Sequence, residues 1–153
     1  MDGKAEKVLE RLQAQCSRRE YCSADILKKA TEKLDGDSQA AAEILSSLIE
    51  DRFVDDLRYA SAFAREKSAL TGWGPVKIRM ALAAKGIRGE TADLALRETD
   101  PQKSEEKLER LLESKWKSLA DDPQGKLKLL RFALSRGYEY DQVKNLVDSL
   151  TSR

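Results

Sequence analysis

The chain has 153 residues and a mass of 17.2 kDa, and 41% of its residues are hydrophobic, enough for a continuous core and too many for disorder throughout. Its 28 basic and 27 acidic residues nearly cancel, and it holds no histidine and only two cysteines, Cys16 and Cys22. The missing histidine excludes the usual zinc ligand sets and every Ser-His or Cys-His catalytic arrangement, and no apolar run approaches the roughly 18 residues of a membrane span.

Prolines are few and apolar residues recur at three and four, so the chain reads as all-α, with nine helices. Val8, Leu9 and Leu12 mark the first helix and Ile26, Leu27, Ala30 and Leu34 the second. The loop Asp35-Gly36-Asp37-Ser38 carries an N-cap for a third helix with Ile44, Leu45, Leu48 and Ile49 on its apolar stripe. Asp55 and Asp56 cap the fourth, which carries Leu57, Ala60, Phe63 and Ala64 and ends at Thr71-Gly72. Gly74 caps the fifth, Pro75 takes its first helical position, and Trp73 folds back on Ile78 as a hydrophobic staple. Ile78, Met80 and Leu82 are expected to point inward before Gly86 ends that helix; Ala92, Ala95 and Leu96 mark the sixth. Asp100-Pro101 and Asp122-Pro123 each read as a helix start. The seventh helix carries Leu108, Leu111, Leu112, Trp116 and Leu119. The eighth carries Leu127, Leu130 and Leu134 up to Arg136-Gly137-Tyr138, and the ninth Val143, Leu146, Val147 and Leu150.

A small helix-capping residue followed four positions later by an aliphatic one recurs at an interval of 51: Ser23/Leu27, Gly74/Ile78 and Gly125/Leu129. The expected architecture is therefore an elongated, curved array of three tandem three-helix repeats, over residues 1–53, 54–98 and 99–153, with Leu27, Ile78 and Leu129 buried in equivalent places. Stacked repeats share a hydrophobic face and enclose no private pocket, which points to binding a macromolecule rather than to catalysis. Met1 to Leu12 interleaves charge with apolar residues, unlike a signal peptide, so a cytoplasmic protein with reduced thiols is expected.

Three blocks carry a resemblance to a known family: Arg18-Arg19-Glu20-Tyr21-Cys22-Ser23-Ala24-Asp25-Ile26-Leu27, then Asp51-Arg52-Phe53-Val54-Asp55-Asp56-Leu57-Arg58-Tyr59-Ala60, then GWGPVKIRMALAAKGI from Gly72 to Ile87. In that order they resemble RecX, the regulatory protein of the bacterial RecA recombinase, most closely from Arg18 to Leu96. The resemblance implies a non-enzymatic protein that binds along the groove of the RecA–DNA filament and modulates recombinase, ATPase and co-protease activities, usually downward. It also implies roles in DNA repair, recombination and the SOS response. Family members are often distinctly basic, whereas this chain is nearly neutral.

The charges are nonetheless segregated. Gly72 to Gly89 holds Lys77, Arg79, Lys85 and Arg88 with no acid, and Gly125 to Gly137 holds Lys126, Lys128, Arg131 and Arg136 with none. Lys77, Arg79, Lys85, Arg88, Lys126, Lys128 and Arg136 are therefore the candidate contacts, on a basic face formed by the second helices, for acidic RecA surface or for the phosphates of single- or double-stranded DNA. Adjacent Asp55 and Asp56 are explained by capping rather than by acid/base or magnesium chemistry. The expectation is a monomer that needs no cofactor or metal, acts on no membrane and has no catalytic residues. The rival is a sequence-independent DNA-binding repeat protein that works without RecA.

Overall fold

Four aspartates fix four helix starts: Asp2, Asp37, Asp55 and Asp100 accept hydrogen bonds at 2.8–3.4 Å from the free amides of Ala5, Ala40, Arg58 and the Gln102–Lys103 pair. A computed structural model describes all 153 residues, as nine α-helices without a strand. These are α1 (Gly3–Arg18), α2 (Ser23–Lys33), α3 (Ser38–Glu50), α4 (Asp56–Thr71), α5 (Pro75–Ala84), α6 (Gly89–Arg97), α7 (Pro101–Leu119), α8 (Gly125–Ser135) and α9 (Tyr140–Thr151). Gly74 is the N-cap of α5 with Pro75 behind it, and Gly72 closes α4 in the left-handed conformation at φ 69°.

The apolar stripes gather into three separate cores. The first holds Val8, Leu12, Ile26, Ile44 and Leu48; the second Ala60, Ala64, Ile78, Leu82, Ala92 and Ala95; the third Leu108, Leu112, Leu129, Val143 and Val147. Cores strung in a row leave more surface than one merged core would. The chain exposes 9335 Å², against about 7,800 Å² for a compact protein of this mass. The molecule is accordingly an extended tandem array of three-helix units.

The first copy departs from the expected register. Leu27 is 37% exposed, and Ile26 occupies the buried place that Ile78 and Leu129 fill in the other copies. Cys22, not Ser23, is the N-cap of α2, so the core positions of the first two copies lie 52 residues apart, and those of the last two 51. Met80 is likewise turned out, at 68% exposure: α5 buries Ile78 and Leu82 one turn apart, and Met80, two residues from each, lies on the opposite side. Ile49, Leu57 and Leu127 also stand largely exposed at the edges of their stripes. Asp122-Pro123 does not start α8. The Asp122 carboxylate accepts from the Gln124 amide at 2.8 Å in a local turn, and the helix begins at Gly125, where a Cβ would overlap the Leu119 carbonyl.

The two junctions between units are built differently. Between the first and second, Cys22 inserts into the second core, the Ser23 amide donates to Asp56 Oδ1 at 2.7 Å, and Arg58 pairs with Glu20. Between the second and third, α4 packs on α7 and the backbones bond directly: Gly74 N to Arg136 O at 2.7 Å, and Val76 N to Gly137 O at 3.0 Å. The buried Tyr138 hydroxyl lies 2.8 Å from Gly72 O and 3.0 Å from Ser104 O, tying α4 and α7 to the start of α9.

Candidate interaction surface

The acid-free stretches at α5 and α8 find their counter-ions in space rather than in sequence. Arg79 pairs with Asp93 of α6 at 2.8 Å, and Lys85 with Asp25 of α2 at 3.0 Å. Lys126 pairs with Asp148 of α9 at 2.8 Å, and Lys128 with Asp122 at 2.5 Å. Each of these four cations is well exposed, so its pair adds little to stability, and a partner dense in carboxylates or phosphates can exchange it cheaply.

The other three candidates differ. Arg88 is exposed at the N-cap of α6 and forms no ion pair. Lys77 is half-buried, its Nζ 4.5 Å from the Trp73 ring centre and 3.1 Å from Ser135 O. Arg136 donates through Nη2 to Thr71 O at 2.6 Å and lies 5.7 Å from the Phe132 ring centre. Lys77 and Arg136 therefore meet at the second junction, where each satisfies a carbonyl of the neighbouring unit, while the remaining five are distributed along the array.

Two carboxylates respond to this network. Lys126 and Lys144, both bonded to Asp148, hold its carboxyl down at about 2, and Lys128 with the Gln124 amide holds Asp122 below the usual range. Asp25, bonded through both oxygens, raises Lys85. The cysteines sit in different cores, where burial pushes both thiols up and keeps them protonated, the state of packing residues rather than nucleophiles. No group of cysteines and carboxylates is placed to hold a metal ion, and no helix is long and apolar enough to cross a membrane.

What composition did not reveal is a row of aromatic rings with cations over them on α4 and at the start of α5: Tyr59, Phe63 and Trp73 with Lys67 and Lys77. Its one signal in sequence is the four-residue spacing of Tyr59, Phe63 and Lys67, which puts them on one helix face.

The geometry of three-helix units agrees with known proteins. The family model for the second three-helix domain of RecX matches residues 55–96, and that for its third three-helix domain matches residues 103–147. "Regulatory protein RecX" of Salmonella arizonae is 31% identical over 129 residues, covering 84% of this chain and 77% of that protein. The chain belongs to the RecX family. The Clostridium tetani RecX is 30% identical over 118 residues, 74% of this chain, and the chain spans only about half of that relative's length, 54%. Among solved structures, RecX from Lactobacillus salivarius superposes with a TM-score of 0.80 at 22% identity over 98% of both chains. A second crystal structure of regulatory protein RecX superposes at 0.82 and 23% identity, over 95% of this chain and 72% of the other. At that identity the two structures establish the RecX fold alone.

Proposed function

We propose that this RecX-family chain is a non-enzymatic regulator that binds along the RecA–DNA filament and restrains its recombinase, ATPase and co-protease activities. The observation that carries the reading is the tandem three-helix array that the chain shares with proteins described as regulatory protein RecX. The units, taken as residues 1–53, 54–98 and 99–153, would contact successive parts of the filament as one monomer in the cytoplasm. Arg88 and the exchangeable cations Arg79, Lys85, Lys126 and Lys128 face acidic RecA surface or DNA phosphate, while Lys77 and Arg136 hold the second and third units in register for that contact.

Co-sedimentation with preformed RecA–DNA filaments beside free DNA, with RecA ATPase followed in parallel, tests the reading. Pelleting with filaments accompanied by a fall in ATP turnover is the expected result. Pelleting with free DNA to the same extent and no effect on ATP turnover would favour a DNA-binding protein that acts without RecA. Because phosphate binding alone weakens steeply with salt, repeating the assay across ionic strength separates the two contacts.

A further inference from the structure

Three rings line one side of the second unit. Tyr59 and Phe63, one turn apart on α4, stack with centres 6.0 Å apart and planes 20° apart. Trp73, just past the turn at Gly72, meets Phe63 edge-on at 6.1 Å and 72°. All three are half-buried, packed against the second core on one side and reaching the surface on the other. Lys67 lies 5.7 Å from the Phe63 centre and 4.9 Å from that of Trp73, with Lys77 at 4.5 Å from Trp73. An open groove of about 510 Å³ runs beside Tyr59, Phe63 and Lys67 and is also lined by Arg19 of the first unit.

The cations here are unlike those paired along α5 and α8. Arg19, Lys67 and Lys77 form no ion pair with any carboxylate, whereas Arg79, Lys85, Lys126 and Lys128 each do. Ring faces and unneutralised cations interleaved along a groove are the two elements by which proteins hold unpaired nucleic acid without reading its sequence: bases stack on the rings and phosphates follow the charges. A duplex cannot use such a site, because its base faces are already stacked on one another. We infer that this groove binds single-stranded DNA, with bases on Tyr59 and Phe63 and the backbone along Arg19 and Lys67, while Trp73, edge-on to Phe63 just beyond the groove, senses its occupancy. The preference for DNA over RNA rests on the proposed filament role; the stacking site does not. Glu66, on the groove wall with no cation partner, opposes the backbone and limits affinity, while Glu20 on the same wall is neutralised by Arg58.

The test uses the full chain without RecA. Fluorescence anisotropy of a labelled oligo(dT) of roughly 20 nucleotides, long enough for one or two stacking modules, should show binding that weakens with salt. Lys67→Glu should weaken it about tenfold, the effect of reversing one charge beside phosphate, and Glu66→Gln should tighten it. Phe63→Leu keeps apolar bulk but removes the ring, and should weaken binding about fivefold or more, the low end for a lost base stack. In a Trp116→Phe background Trp73 is the sole reporter, and oligo(dT) should quench its emission. Absence of binding at low salt, equal affinity for a duplex of the same length, or indifference to both Lys67→Glu and Glu66→Gln would overturn the site. Tighter binding of oligo(U) would overturn the assignment to DNA. Should Phe63→Leu lose helical structure, the two charge variants and the Trp73 signal still decide. Failure here would leave the filament reading standing, since co-sedimentation and ATPase measure that separately.

Discussion

Lys85, at the C-cap of α5, donates to both carboxylate oxygens of Asp25 on α2, at 3.1 and 3.0 Å and 60 residues away in sequence. With the Ser23–Asp56 bond and the Glu20–Arg58 pair it forms the polar part of the joint between the first two units. The side chains of Lys85 and Asp25 are 42% and 36% exposed, so removing the pair costs about 1 kcal/mol or less. Lys85→Glu, which sets two acids face to face, should leave the melting midpoint within a few degrees of the parent. It should, however, raise amide hydrogen exchange selectively in residues 20–26. Uniform exchange across all three units would contradict the role of this pair as a local link.

Arg88 offers a cleaner test of the partner surface because it has no intramolecular pair to lose. Arg88→Glu should leave helical content and thermal stability unchanged and weaken RecA ATPase inhibition by about tenfold or more, since like charges brought together at an interface cost several kcal/mol. Inhibition indistinguishable from the parent would move the contact elsewhere. Reversing Lys77 in the same experiment would confuse the result, because Lys77 also bonds Ser135 O across the second junction.

Gly74 and Gly86 bracket the same helix and should fail for different reasons. Gly86 sits at φ 78° with open space around it, so Gly86→Ala carries only the left-handed backbone penalty of about 1–2 kcal/mol. Gly74 has an ordinary backbone, but a Cβ there would overlap Gly137 O and crowd Tyr138. Gly74→Ala should therefore cost more than about 2 kcal/mol. Equilibrium unfolding in urea ranks the two, and equal losses would count against the backbone contact between units.

Ile78, 1% exposed in the second core, should lose about 2–5 kcal/mol on replacement by alanine. Leu27→Ala, at the exposed position of the first copy, should lose much less, and a comparable loss at both would restore the register of 51 for the first two copies.

Because Asp148 is held at about 2, below the ordinary carboxylate value of about 3.9, its ion pairs contribute stability that is fully present above that ordinary value. The contribution disappears as pH falls through about 2. Asp148→Asn should melt below the parent at neutral pH, and the gap should close on acidification across that window. A gap that stays constant, or a carboxyl carbon of Asp148 titrating near the ordinary value by NMR, would show that Lys126 and Lys144 do not hold it.

Much of the backbone was legible from local chemistry. Asp37, Asp55, Asp100, Gly72, Gly74 and Gly86 mark helix ends in sequence because capping involves only residues within a turn of one another. The register of the first copy was not, because Cys22 is buried by the second unit and its role is invisible within its own segment. Asp122 failed as a helix start because Gln124 and Lys128 compete for its carboxylate. The candidate surface was legible as a set of cations but not as a set of pairs: Asp25, Asp93 and Asp148 reach α5 and α8 from other helices, and only the fold brings them there. Trp73 packs against the core that holds Ile78, in line with its reading as a hydrophobic staple, but its edge-on contact with Phe63 and the two lysines over its ring, which come from different helices, were not legible.

The contrast between the two junctions gives the array a built-in gradient of stiffness. Amide-to-carbonyl bonds between α5 and the end of α8, with Tyr138 locked beneath them, are indifferent to ionic strength, so the second and third units travel as a single rigid blade. The first unit hangs from that blade by one buried thiol and a handful of charged or carboxylate-capped links, whose strength falls as salt rises. A rod that is stiff at one end and ionically sprung at the other can adjust its pitch to a helical track after one end has already seated. The local counter-ion density beside that track then sets how far the spring yields.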